Sequence, residues 1–138
     1  MKKIIFHILS MTLIFAILLG CQSNGNNELV DAEVSKVSIS KSSGLGKVNS
    51  NFFTVYEDEE TLEIFKNIIL NAVKETVEVY IVNPHFDLEL IFTDETKQGY
   101  HLWLGEKGQE STLMKIDDIP TIYSISEEMT KQLIDLIQ

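Results

Sequence analysis

The chain has 138 residues, with 11 Lys, no Arg and 21 Asp+Glu, and a formal net charge of −10. That length allows one domain at most, and so acidic a balance excludes the basic footprint of a nucleic-acid binder, so no nucleic acid is expected among its partners. One cysteine excludes an internal disulfide and a thiolate-built zinc site.

In chain order, Lys2 and Lys3 form a positive n-region ahead of an apolar run, Ile4 to Leu19, interrupted by His7, Ser10 and Thr12. The run closes on Leu18-Leu19-Gly20-Cys21, which has the form of a lipobox. An aliphatic residue stands three before the cysteine, a small residue gives a peptidase access to the backbone, and the thiol is the nucleophile that accepts a lipid. The run is short against the about 20 apolar residues of a membrane-spanning helix. No positive stop-transfer cluster follows it, and a plain secretory signal has no need of cysteine at its cut. The expectation is therefore a signal peptide over 1–20, cleavage between Gly20 and Cys21, and a diacylglyceryl group on Cys21. Its two acyl chains, at about 0.8 kcal/mol per buried CH₂, anchor stably where one does not.

The mature chain would lie on the extracytoplasmic face of the cell membrane. Maturation removes two lysines and no acid, which leaves nine Lys against 21 acids, a net charge of −12. Anionic headgroups repel such a domain. Residues 21–32, rich in Asn, Gly and Ser at their start, read as a flexible tether, and 33–138 as a single domain.

Val34 to Ser40 has the β-branched alternation of a strand. Residues 42–51 form a loop with Gly44 and Gly46, and Phe52 to Tyr56 a second strand. Asp58 is suited to cap a helix, with Glu59 and Glu60 at its positive end. Leu62, Phe65, Ile69 and Ala72 then repeat at helical spacing, which predicts a helix from about 59 to 75. Val77 to Val82 is strand-like, and Asn83-Pro84 turns the chain.

Phe86, Leu88, Leu90 and Phe92 alternate with polar neighbours, as do Tyr100, Leu102 and Leu104 after a turn-rich stretch from Asp94 to Gly99. Placing Leu90 opposite Leu102 and Leu88 opposite Leu104 gives both strands one core face and leaves a loop of about three residues. Thr112 to Ile116 and Thr121 to Ile125 predict two more strands. Ser126 caps a last helix whose inner stripe is Thr130, Leu133, Ile134 and Ile137. The order β-β-α-β-β-β-β-α implies an α+β fold, a mostly antiparallel sheet of five to six short strands with two helices on one face.

A lipobox and tether, an early strand, a helix carrying Leu62, Phe65, Ile69 and Ala72, the segment YHLWL (Tyr100 to Leu104) and the closing YSISEEMTKQLIDLI (Tyr123 to Ile137) together resemble the small lipoproteins of Bacillus and its relatives, the YhfM-like domain group. The likeness covers nearly the whole mature domain and is carried by packing patterns. It implies a Gram-positive cell surface and a compact α+β domain. It implies no particular activity and lends no functional residue.

Chemical motifs are sparse. Ser38-Ile39-Ser40-Lys41 matches S-x-x-K, but in a strand, where positions three apart fall on opposite faces, and its companion motifs are missing. Gly44-Leu45-Gly46-Lys47 lacks the spacing of a phosphate loop. One constellation is left: His85, Asp87, Glu89, His101 and Trp103. In the register above the last four share the face away from the core, with Glu89 across from Trp103 and His101 across from Ile91. Imidazoles and carboxylates there could ligate a metal or do acid–base work. Trp103 with the acids could equally anchor a binding surface. Because Tyr100, Leu102 and Leu104 claim the core side, the indole is expected half-buried, its edge accessible. The leading expectation is a non-enzymatic, lipid-anchored interaction module with an envelope or membrane protein as partner and no cofactor. The alternative is capture of a metal or small ligand through His85, Asp87, Glu89 and His101.

Overall fold

The computed structural model describes residues 32–76 and 82–138. The expected signal peptide, Cys21 and nearly all of the expected tether lie outside the described residues, as does the strand expected over 77–82 except for Val82. The elements are β1 (Val34–Lys41), β2 (Phe52–Tyr56), α1 (Glu59–Asn71), β3 (Val73–Lys74), β4 (Phe86–Phe92), β5 (Lys97–Trp103), β6 (Ser111–Lys115), a 3-10 turn (Ile116–Asp118), β7 (Ile122–Ile125) and α2 (Glu127–Ile137). The strands form one sheet in the order β2-β1-β4-β5-β6-β7-β3, with every neighbouring pair antiparallel. The class is α+β, as the element pattern implies. Among the described residues, no helix is long and apolar enough to cross a membrane.

The sheet has seven strands because α1 stops earlier than its apolar spacing suggests. Asp58 accepts a hydrogen bond from Thr61 N–H at 3.0 Å and so starts the helix. The Thr61 side chain and backbone hold the Asp58 carboxyl below its ordinary range. At the other end Ala72 is already extended, at φ −64° and ψ 136°. Val73 and Lys74 then pair with Ser124 and Tyr123 of β7. A β-branched valine has a poor helix propensity, and the sheet edge gives it a partner. The chain thus runs from one edge strand, β2, over the sheet along α1 to the other edge strand, β3.

Both helices lie on the same face. Phe65, Ile68 and Ile69 of α1 and Leu133 of α2 join Val37, Ile39, Leu88, Leu90, Tyr100, Leu102 and Leu113 in one buried cluster. Each such side chain contributes roughly 1.5–3 kcal/mol by leaving water. Tyr56 ties edge to helix by donating its hydroxyl to Leu136 O at 2.7 Å. Burial pushes the Tyr100 hydroxyl well above its ordinary phenol value.

The β4–β5 hairpin keeps the expected faces and loses the expected register. Leu88 stands opposite Tyr100, and Leu90 opposite Gln98. The turn is Thr93-Asp94-Glu95, closed by Phe92 N–H to Thr96 O at 2.9 Å. Asp94 Oδ1 accepts from Thr96 N–H at 3.0 Å and from its hydroxyl at 2.6 Å. These bonds, the side-chain one first, hold the Asp94 carboxyl below its usual range. Glu95 supplies the left-handed step, at φ 68°, that a three-residue hairpin loop needs. Asp94 and its Asx turn, not Gly99, define the bend. The strands therefore slide by two pleats, and a slide by an even number preserves which side chains face the core.

Candidate functional site

The face of the sheet away from the helices carries a continuous row across four strands. Ser40 of β1 stands opposite Asp87 of β4, Asp87 opposite His101 of β5, and His101 opposite Met114 of β6. All four side chains are fully buried. This corrects the sequence-based pairing of His101 with Ile91, and of Glu89 with Trp103. Glu89 instead faces Gly99. It also corrects the picture of Asp87 and His101 as groups on a solvated surface.

The cover is the loop 42–51 between β1 and β2. His101 Nδ1 lies 2.8 Å from Asp87 Oδ1, and the second carboxylate oxygen accepts from Asn49 N–H at 2.8 Å. His101 Nε2 receives Gly46 N–H at 3.1 Å. An imidazole nitrogen that accepts carries no proton, so the ring is the neutral Nδ1–H tautomer. Both ring nitrogens and both carboxylate oxygens are thereby engaged, the ion-pair geometry included.

The loop is also wedged by shape. A Cβ at Gly99 would stand 2.7 Å from Val48 Cγ2 and 2.8 Å from Ile116 Cδ1. Gly99 is thus a notch in β5 that seats Val48, and not a turn residue. Asn49 braces the loop through Nδ2 to Lys41 O at 2.9 Å and by accepting Asn51 N–H at 3.1 Å. Ser40 Oγ, next to Asp87, is buried with no hydrogen-bond partner among the described residues.

The other three members of the constellation lie around the Asp87–His101 pair. His85 is exposed, and its Nδ1 accepts Leu104 N–H at 3.1 Å. Trp103 is half-buried, donates Nε1–H to Val82 O at 3.0 Å, and meets His101 edge-on with ring centroids 6.4 Å apart. Glu89 pairs with Lys97 at 3.3 Å, a solvent-facing contact worth at most about 1 kcal/mol. The structure therefore brings Asp87, His101 and Trp103 together, leaves Glu89 one pleat away, and turns His85 outward. No group of three or more His, Cys, Asp or Glu among the described residues could hold a metal ion.

Val48 and Asn49 have no motif in the sequence to mark them, and Ser40, Gly46 and Gly99 stand there only within a failed motif, a loop and a turn-rich stretch. One signal was present. Adjacent antiparallel strands need only a few linking residues, and a ten-residue connection between β1 and β2 is long enough to have work of its own.

A family model described as YhfM protein matches residues 30–138. No curated protein matches the chain. The crystal structure of a thioesterase-like protein from Clostridium sporogenes is similar to it with a TM-score of 0.58 and 17% identity, covering 75% of this chain and 94% of that one. At that identity the likeness is one of fold.

Proposed function

The chain belongs to the YhfM protein family, and we propose that it is a lipid-anchored interaction module on the extracytoplasmic face of the cell membrane, without enzymatic activity of its own. The observation that carries this reading is the sequence Leu18-Leu19-Gly20-Cys21 at the end of an apolar run behind Lys2 and Lys3. Two acyl chains on Cys21 would hold the chain at the membrane. The net charge of −12 on residues 21–138 would keep the domain off anionic headgroups and favour a partner with a basic surface.

The non-enzymatic part draws support from the sealed row. An acid–base pair must reach a substrate or a water, and Asp87 and His101 are fully buried, with each ring nitrogen and each carboxylate oxygen hydrogen-bonded to the other or to the loop backbone. The same engagement weighs against metal capture through His85, Asp87, Glu89 and His101. At 17% identity the likeness to a thioesterase-like protein is one of fold alone.

The test is Cys21→Ser in the producing cell. The wild-type protein should incorporate a fatty-acid probe and mature with Cys21 at its N-terminus. The variant should incorporate none and keep its first twenty residues. A variant that still labels and matures at the same bond would end the lipobox assignment. Turnover of a defined substrate by the purified protein would end the non-enzymatic part.

A further inference from the structure

A buried imidazole whose second nitrogen is plugged by a backbone amide can close only in one protonation state. Closure of loop 42–51 requires His101 Nε2 as an acceptor, because Gly46 N–H points at it from 3.1 Å. A proton on Nε2 would set two N–H groups against each other at that distance. The ring cannot turn to offer the other nitrogen, because Nδ1 is tied to Asp87 Oδ1 at 2.8 Å and the side chain is fully buried.

We propose that Asp87 and His101 form a proton-operated latch, which holds loop 42–51 over the back of the sheet while His101 is neutral and releases it when His101 takes up a proton. The proton comes from solvent and adds to Nε2, and no covalent bond between heavy atoms changes. The open form binds one proton more than the closed form, so closure weakens as pH falls.

Other groups around the ring leave this sign intact. From β4 the ring meets the Asp87 carboxylate, which stays paired with the imidazolium. From β6 it meets Met114, and from its own strand Trp103 and Gly99, none of which titrates. From the loop it meets Gly46, beside the exposed Lys47. A lysine near a newly charged ring adds repulsion, which also favours opening. β1 contributes the neutral Ser40 behind Asp87 and the exposed Lys41 at its end.

Release of Gly46 frees the segment that carries Val48 out of the Gly99 notch. Ser40, Asp87, His101 and Met114 would then face water beside Trp103. The latch follows from the described residues alone and does not depend on lipid anchoring.

The experiment uses the full-length protein in detergent micelles. Amide hydrogen-exchange protection is compared between about pH 8 and about pH 5, the span in which histidines change charge. Protection over residues 44–49 should fall at least about tenfold in acid, while α1 and the core of β5 keep theirs. In parallel, Trp103, the only tryptophan, should lose emission as the ring beside it becomes cationic.

In His101→Gln both changes should vanish. In His85→Gln both should persist, which separates the buried ring from the exposed one. Unchanged protection in the wild type would overturn the latch, and so would an equal loss in His101→Gln or a loss spread evenly over the domain. Should His101→Gln fail to fold, the ¹⁵N shifts of wild-type His101 decide. A ring still neutral when 44–49 opens, or protonated while 44–49 stays closed, also overturns it.

Discussion

On one face of the sheet Leu88, Leu90, Tyr100 and Leu102 meet two helices. On the other, Asp87 and His101 meet the backbone of a loop. The same two strands supply both sets by simple alternation, so the strands do not determine how their faces are closed. The helix side is non-directional: any well-shaped apolar surface would fill it, and its stabilisation grows with area. The loop side is directional, a few hydrogen bonds each of which fails if one atom changes role. A face of the first kind tolerates repacking. A face of the second kind responds to single protons and single methyl groups.

That contrast can be broken or sharpened by substitution, starting with the largest effect. Phe65→Ala empties a fully buried site on α1 and should cost about 3–5 kcal/mol in chemical denaturation. The loss should fall on the whole domain, with exchange rising everywhere. Asp87→Ala leaves the fully buried His101 Nδ1–H and the half-buried Asn49 N–H unpaired, for a cost of about 3 kcal/mol. Here exchange should rise first over 42–51. If both variants loosen the domain uniformly, the two faces are not separate in kind.

Gly99→Ala introduces a Cβ 2.7 Å from Val48 Cγ2 and should cost about 1–3 kcal/mol. Adding Val48→Ala should restore part of that loss, because one of the two colliding methyls is gone and only Ile116 Cδ1, at 2.8 Å, is left. The cycle of single and double variants should show a coupling of at least about 0.5 kcal/mol. Additive losses would mean that Val48 does not sit in the notch. The smallest effect is expected at Ser40, whose hydroxyl is buried without a partner. Ser40→Ala should leave stability unchanged or raise it by up to about 1 kcal/mol. A clear loss would reveal a hydrogen bond to that hydroxyl.

The same contrast explains what could be read from the sequence. The helix-facing side was legible because burial there is periodic: Leu62, Phe65 and Ile69 at helical spacing, and Leu88, Leu90, Tyr100 and Leu102 at strand spacing. So was the α+β class, and so were the caps Asp58 and Ser126, which accept from Thr61 and Met129. The loop-facing side was not. Asp87 and His101 are polar residues at alternating positions, which is how a solvated face looks. Only the tertiary placement of Gly46 and Asn49 shows them to be buried.

Gly99, at the end of the turn-rich stretch, is ambiguous for a related reason. Glycine signals a turn as readily as a close approach, and here the approach by Val48 claims it while Asp94 and Glu95 make the turn. The expected register came instead from pairing Leu90 with Leu102 on one core face, and the turn at Asp94 and Glu95 sets Leu90 opposite Gln98. Trp103 is half-buried on the sheet face opposite the helices, since Tyr100 and Leu102 occupy the core side of β5.

The most direct measurement is the tautomer of His101 near neutral pH, read from long-range ¹H–¹⁵N correlations of its ring in the folded protein. The expected result is a protonated Nδ1 facing Asp87 and an unprotonated Nε2 that shows coupling to the Gly46 amide. A ring with its proton on Nε2 would contradict it. Gly46 N–H would then have no acceptor there, and neither the closed loop nor the sealed Asp87–His101 pair could stand as described.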